Sequence, residues 1–236
     1  MNKLAVLDSG KKSAAENMAL DQQLLEELAS GGEALLHLYD WEGPSATYGY
    51  FTDPYRFLSR KGIEQVGVAL ARRPTGGGII FHLTDFAFSV LIPATHPYYS
   101  TNTLENYATI NRRVIEVIQQ FTGQHADIGL LASESGRDLS HFCMAKPTQY
   151  DVMLNGRKVG GAAQRRTKHG FLHQGSISLA LPDCALLDHL LLPETDIYAA
   201  MQMHTCPLLA ECSTVLTITE ARNHLKSLML EVWGQA

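Results

Sequence analysis

Two short stretches hold the residue types that do chemistry. The first is ARRPTGGGIIFH, residues 71–82, where Arg72 and Arg73 run through Pro74 and Thr75 into Gly76, Gly77 and Gly78. Glycines let a backbone pass close to a ligand and turn its N–H groups inward, and an arginine beside them adds permanent positive charge. That combination suits a carboxylate, a phosphate or the oxygen of an acyl carbonyl; a bend between strands with solvated arginines has the same composition. A phosphate-binding P-loop is disfavoured, because the Gly-Lys-Ser/Thr ending is missing and a β-rich run, not a helix, follows. The second stretch, GRKVGGAAQRRTKHGF, sets Lys158 at a strand start beside Gly160, Gly161, Ala162 and Ala163. Small side chains leave room for a ligand next to the ammonium, although an exposed strand-end lysine is the plainer reading.

The elements that must position these stretches are written in the apolar periodicity. Ser13 and Glu16 form a capping box, and Met18, Leu24, Leu25 and Leu28 recur at helical spacing until Gly31, so residues 13–30 are expected to form a helix. EALLHLYD, SATYGY and VGVALARR read as strands, which puts the glycine triplet after a strand. GIIFH and FAFSVLI are β-rich runs separated by Leu83, Thr84 and Asp85, a spacing that predicts a hairpin. A second amphipathic helix is predicted from Thr103 to Phe121. Residues 126–146 show no clean period and are expected to be a long loop. Beyond it, two strands meet at Asn155-Gly156, the pair that best tolerates positive φ, and a turn at 167–170 leads to FLHQGSISLAL, predicting a three-stranded antiparallel meander. Residues 183–191 and 217–233 read as helices. The order indicates an α+β or mixed α/β fold around a largely antiparallel sheet.

Composition narrows the function classes. With 236 residues, 45% hydrophobic, the chain is expected to be one domain over 1–236. A net charge of −5 gives no global drive toward nucleic acid or anionic membrane, and neither a signal peptide nor a span of about 18 apolar residues is present, so a cytoplasmic protein is expected. Four cysteines offer no metal-ligand spacing, Cys206 and Cys212 being six apart, and free thiols are expected.

Taken together, RRPTGGGIIFH followed by NGRKVGGAAQRR and GFLHQGSISL resembles the catalytic domain of the lipoate–protein ligase and octanoyltransferase superfamily, whose fold is shared with biotin protein ligase. The resemblance runs from about Asn17 to Leu181. It implies that Arg73, Thr75 and Gly76 to Gly78 form the wall of an acyl pocket, with His82 at its rim. Lys158 would polarise the acyl carbonyl, Gly161 and Ala163 would border the tunnel, and Tyr48 and His173 would line it or its mouth. Each buried methylene contributes about 0.8 kcal/mol, so a narrow tunnel can hold an eight-carbon chain and select its length.

The segment FCMAKPTQYDVMLNGRK, with Cys143 fifteen residues before Lys158, resembles the cysteine-using octanoyltransferases. Cys143 would then attack an acyl-carrier-protein thioester, its thiolate favoured by cationic neighbours such as Lys158, Lys146 or His141. The acceptors implied are lipoyl-domain proteins, the dehydrogenase E2 subunits and the glycine cleavage H protein. No tightly bound cofactor and no metal site are expected. An ATP- and Mg-dependent ligase and a non-catalytic acyl-binding relative are the alternatives. Two features depart from the family pattern: FHLTDFAF follows the triplet, and HQG stands where QHG or HHG is usual. No C-terminal accessory domain is expected.

Overall fold

The computed structural model describes residues 3–123, 127–131, 149–193, 197–212 and 215–234. The chain opens with strand β1 (Ala5–Lys12), crosses through helix α1 (Ala14–Glu27) and returns as β2 (Leu35–Trp41), parallel to β1. Helix α1 starts at the expected capping box, in which the Ser13 side chain accepts from the Glu16 N–H, and the segment stops at Gly31 with φ 88°. Next come β3 (Ser45–Tyr48), α2 (Arg60–Val66), β4 (Ala69–Arg72) and β5 (Ile79–His82), whose strands make a small sheet in the order β4-β3-β5. The chain then enters β6 (Asp85–Pro93), helix α3 (Thr103–Thr122) and strands β7 (Ile128–Leu130), β8 (Val152–Leu154), β9 (Arg157–Thr167) and β10 (Gly170–Ser178). Helices α4 (Cys184–Leu190), α5 (Ile197–His204) and α6 (Ile218–Gly234) follow.

The large sheet has the order β1-β2-β6-β10-β9-β8-β7, antiparallel except for the β1–β2 pair. Strands β8, β9 and β10 form the predicted meander, turning at Asn155 (φ 50°) and Gly156 (φ 75°). The predicted hairpin between GIIFH and FAFSVLI is corrected: β5 pairs with β3 in the small sheet, while β6 lies between β2 and β10 in the large one. The composition of β6 explains this. It is buried on both faces along almost its whole length, so it belongs at the centre of a sheet, where both edges are already occupied. Strand β1 and helices α2 and α5 add to the expected elements, and β7 falls inside the stretch expected to be loop.

The two faces of the large sheet do different work. Leu36, Leu38, Phe88, Val90, Phe171 and Ile177 point to the side covered by α3 and α6 and form the main core. The alternate residues of the same strands point the other way, toward α1 and the small sheet. A second core joins the outer face of the small sheet to α2, α4 and α5 through residues such as Ala46, Ile63, Phe81 and Leu187. Between the small sheet and the large one lies the space that holds the site. No described helix is long and apolar enough to cross a membrane.

Candidate active site

The site begins with an irregularity in β9. Val152 pairs with Gly160 but Met153 pairs with Lys158, so Val159 is an extra residue in a β-bulge. Val159 goes into the main core. Because it takes up one alternation, Lys158 emerges on the same face as Gly161, where its Nζ lies 2.7 Å from the Asp151 carboxylate, with both side chains 3% exposed. A Cβ at position 161 would stand 2.5 Å from Lys158 Cε and 2.6 Å from Nζ. A side chain at 161 would thus displace the lysine's ammonium from its present place.

On the far side of Gly161 a narrow cavity of about 20 Å³ lies between β9 and β10 on one side and the small sheet on the other. Gly161, Ala162 and Ala163 form its floor, Ile80 and Thr47 its roof. Beside it, the Arg73 guanidinium is buried and donates to Thr47 Oγ1 (2.9 Å) and to the carbonyls of Gly76 (3.1 Å) and Gly78 (2.8 Å). The glycine segment thus turns two carbonyls toward the arginine, and Arg73 binds the loop together while its side chain lines the cavity. Arg72 lies exposed, 4.7 Å from the centre of the Tyr50 ring, and does not line the cavity.

His82 lies in a fixed chain of hydrogen bonds. His82 Nδ1 donates to the Asp85 carboxylate (Oδ2, 2.8 Å), and His82 Nε2 lies 2.8 Å from Thr47 Oγ1, which accepts from Arg73. Ser176 also donates to Asp85 Oδ2, and Trp41 stacks on the imidazole at 4.1 Å. Burial works against the charge on Asp85, but His82, Ser176 and Arg222 together hold its carboxyl below the usual carboxylate range. At the far end of the cavity, Gln174 accepts from Thr75 Oγ1 (2.6 Å) and donates to Asp21 Oδ2 (2.6 Å). Asp21 in turn meets His37 Nδ1 at 2.8 Å and accepts from Ser89 at 2.7 Å. The arrangement is an apolar slot with a cation at one end and fully engaged polar groups at the other. It suits a chain whose carbonyl oxygen develops negative charge beside an ammonium.

Over residues 13–227 the sequence matches the family model described as the lipoyl protein ligase A/B catalytic domain. The chain belongs to this family. Among curated proteins it is similar to octanoyltransferase LipM of Anoxybacillus flavithermus, 33% identical over 183 residues, covering 75% of this chain and 66% of that one. LipM of Bacillus subtilis is 29% identical over 202 residues, 83% of this chain and 72% of the relative. The chain thus spans about two thirds of the length of the curated relatives it matches. In fold it resembles lipoate-protein ligase A bound with ATP (22% identity, TM-score 0.69, 98% of this chain and 85% of that one). It also resembles a bi-partite lipoate protein ligase from Thermoplasma acidophilum (21%, TM-score 0.64, 98% and 84%). The fold is that of the lipoate ligase catalytic domain, as the sequence motifs implied.

Of the residues singled out in the sequence, the structure brings Arg73, His82, Gly161 and Ala163 to the cavity wall. Lys158 stands against Gly161, and Thr75 is tied to the cavity-lining Gln174. Gly76 and Gly78 hold Arg73 through their carbonyls, but none of Gly76 to Gly78 lines the cavity. Tyr48 faces the other way, packed against the second core. His173 faces the main core, 6.3 Å from Phe88 and 5.8 Å from Tyr107, and its neighbour Gln174 is the residue that reaches the cavity. Cys143 lies outside the described residues. Asp21, Thr47 and Asp151 complete the site without having been singled out, and Gln174, noted only within the HQG departure, takes the place expected of His173. For Gln174 a signal existed: Phe171 and Ile177 mark the core face of β10, which puts His173 with them and Gln174 opposite.

The position of His173 has a measurable consequence. Burial pushes its imidazole down to about 3, so the folded chain keeps it neutral where the unfolded chain, near 6.5, takes up a proton. Stability is therefore full above about pH 6.5 and falls as the pH drops toward 3, by about 3 kcal/mol at pH 4 on this group alone. Urea midpoints measured from pH 7 to pH 4 should fall more steeply for the wild type than for His173→Phe. Parallel curves would show that His173 does not carry the acid limb.

Proposed function

We propose that this chain transfers an octanoyl or lipoyl group from a thioester donor to a lysine of a lipoyl domain, by way of a thioester on Cys143. The observation that carries this reading is the bulge-set Lys158 ammonium at the end of a slot floored by Gly161, Ala162 and Ala163. A slot of that kind takes an acyl chain lengthwise and leaves its carbonyl beside the cation. In the first step the Cys143 thiolate adds to the donor carbonyl, and the oxyanion forms against Lys158. The donor's C–S bond then breaks and its thiol leaves with a proton. In the second step the acceptor lysine's amine adds to the enzyme thioester, loses a proton and expels the Cys143 thiolate, leaving an amide. Nothing is oxidised or reduced, and both steps proceed without ATP.

The donor we infer is an acyl group on acyl carrier protein, and the acceptors are the lipoyl domains of dehydrogenase E2 subunits and of the glycine cleavage H protein. The names of the octanoyltransferase relatives support the acyl chemistry. The test is intact-mass spectrometry of the chain after mixing with octanoyl-acyl carrier protein, with and without ATP. A mass increase labile to hydroxylamine, independent of ATP and lost in Cys143→Ser, is the expected result. Full acceptor modification by Cys143→Ser that depends on ATP and free acid would overturn the thioester route and leave an adenylating ligase.

A further inference from the structure

Two side chains, Met18 and Arg73, stand between the slot and a neighbouring groove. Met18, on α1, is 4% exposed and lines the slot; it also lines an open groove of about 620 Å³ between α1 and β4. Arg73 is the other residue common to both spaces, and its guanidinium is fastened to Thr47, Gly76 and Gly78. Met18 is unbranched, with a single polar contact, from Gln174 Nε2 to its sulfur at 3.4 Å among the described residues. Such a side chain is soft and easily re-aimed.

The register of β9 and β10 sets the distance. Lys158 stands against Gly161, which pairs with Ser176; Met18 meets Gln174, which pairs with Ala163, two residues further along. Two residues of strand are about 7 Å. An eight-carbon chain, about 9 Å when extended, is of the same order as that interval. As it stands the slot holds little more than one water, so an acyl chain must displace something to enter. The groove next door gives Met18 somewhere to go, whereas the tethered Arg73 would have to break three hydrogen bonds.

We propose that Met18 is the specificity-determining residue that sets acyl chain length, acting as the movable plug between the acyl slot and the α1–β4 groove. This rests on the acyl-transfer reading above, with the carbonyl at Lys158 and the tail toward α1. The chemical class it reads is the methyl end of a saturated acyl chain. Octanoyl takes the space the thioether yields, longer chains must drive it further into the groove, and shortening that side chain removes this resistance.

The experiment measures transfer from hexanoyl-, octanoyl-, decanoyl- and dodecanoyl-acyl carrier protein to a lipoyl domain, for wild type, Met18→Ala and Met18→Phe. Met18→Ala should raise the ratio of decanoyl to octanoyl transfer by about tenfold or more, the discrimination that a methylene or two commands in an apolar pocket. Met18→Phe should move preference the other way, toward hexanoyl. Should the alanine variant fail to fold, the phenylalanine variant and Met18→Val still move the ratio in opposite directions if the proposal holds. A wild type that transfers octanoyl while the folded variants keep its chain-length order overturns the role of Met18 alone. A wild type that transfers no acyl group overturns the acyl-transfer reading, and this inference with it.

Discussion

Asp151→Ala should lower the stability of the chain by about 3–5 kcal/mol and reduce the proposed transfer at least a hundredfold. The Asp151–Lys158 pair is 2.7 Å long with both side chains 3% exposed, and removing one partner leaves the other charge buried beside an apolar slot. Breaking such a pair is far costlier than replacing both members, because the desolvation of the surviving ion is no longer offset. The double variant Asp151→Leu/Lys158→Met should therefore recover most of the lost stability. It should recover none of the activity, since a lysine that faces the developing oxyanion contributes about 10²–10³ in rate. Urea denaturation alongside acyl transfer checks both halves. A double variant as unstable as Asp151→Ala, or an Asp151→Ala enzyme at wild-type rate, would show that the pair does not hold the site.

The second large effect falls on a glycine outside the triplet. Gly49 follows β3, and a Cβ there would lie 1.9 Å from the Gly77 carbonyl oxygen and 2.8 Å from the carbonyl carbons of Gly76 and Gly77. These are backbone atoms, tied by the Gly49 N–H to Gly78 O bond at 3.2 Å and the Tyr50 N–H to Thr75 O bond at 2.8 Å. Gly49→Ala must push the whole glycine segment away from β3, breaking the carbonyl contacts of Arg73. We expect a loss of about 3 kcal/mol, the upper end for overpacking, and at least tenfold lower transfer. Gly76→Ala meets nothing within 4 Å and should stay within about 0.5 kcal/mol of wild type, whereas Gly77, at φ 90°, has a conformation that favours glycine. Melting temperatures of Gly49→Ala and Gly76→Ala measured together decide it; equal melting points would refute the close-approach argument.

Much of this was legible before any coordinates. Helix α1 announced itself through its capping box and apolar spacing, α3 through apolar spacing alone, and the meander through Asn155-Gly156. What stayed hidden has physical causes. Strand β1, AVLDSGKK, is largely exposed and carries no apolar alternation, because an edge strand held in parallel by β2 needs little of it. The β5–β6 junction has the spacing of a hairpin, yet spacing says nothing about which sheet each strand joins; the continuous apolar run of β6 was the better guide. In the site, Lys158 and Gly161 were visible as residues. The bulge that puts them on one face was not, since an inserted Val159 looks like any other core residue. Asp21 and Thr47 act through hydrogen bonds to Gln174, His82 and Arg73, and such partnerships leave no pattern in a single chain.

Arg222, on α6, reaches across from the opposite face of the large sheet. It donates to the carbonyl of Asp85 at 2.8 Å and to that of Leu83 at 3.4 Å, pinning the corner where the chain passes from the small sheet to the large one. His82 and Asp85 flank that corner. The consequence concerns timing during synthesis. A ribosome delivers every residue named in the slot, from Met18 to Ser176, well before it delivers Arg222. A nascent chain thus carries every one of those side chains before it carries the residue that fastens this corner.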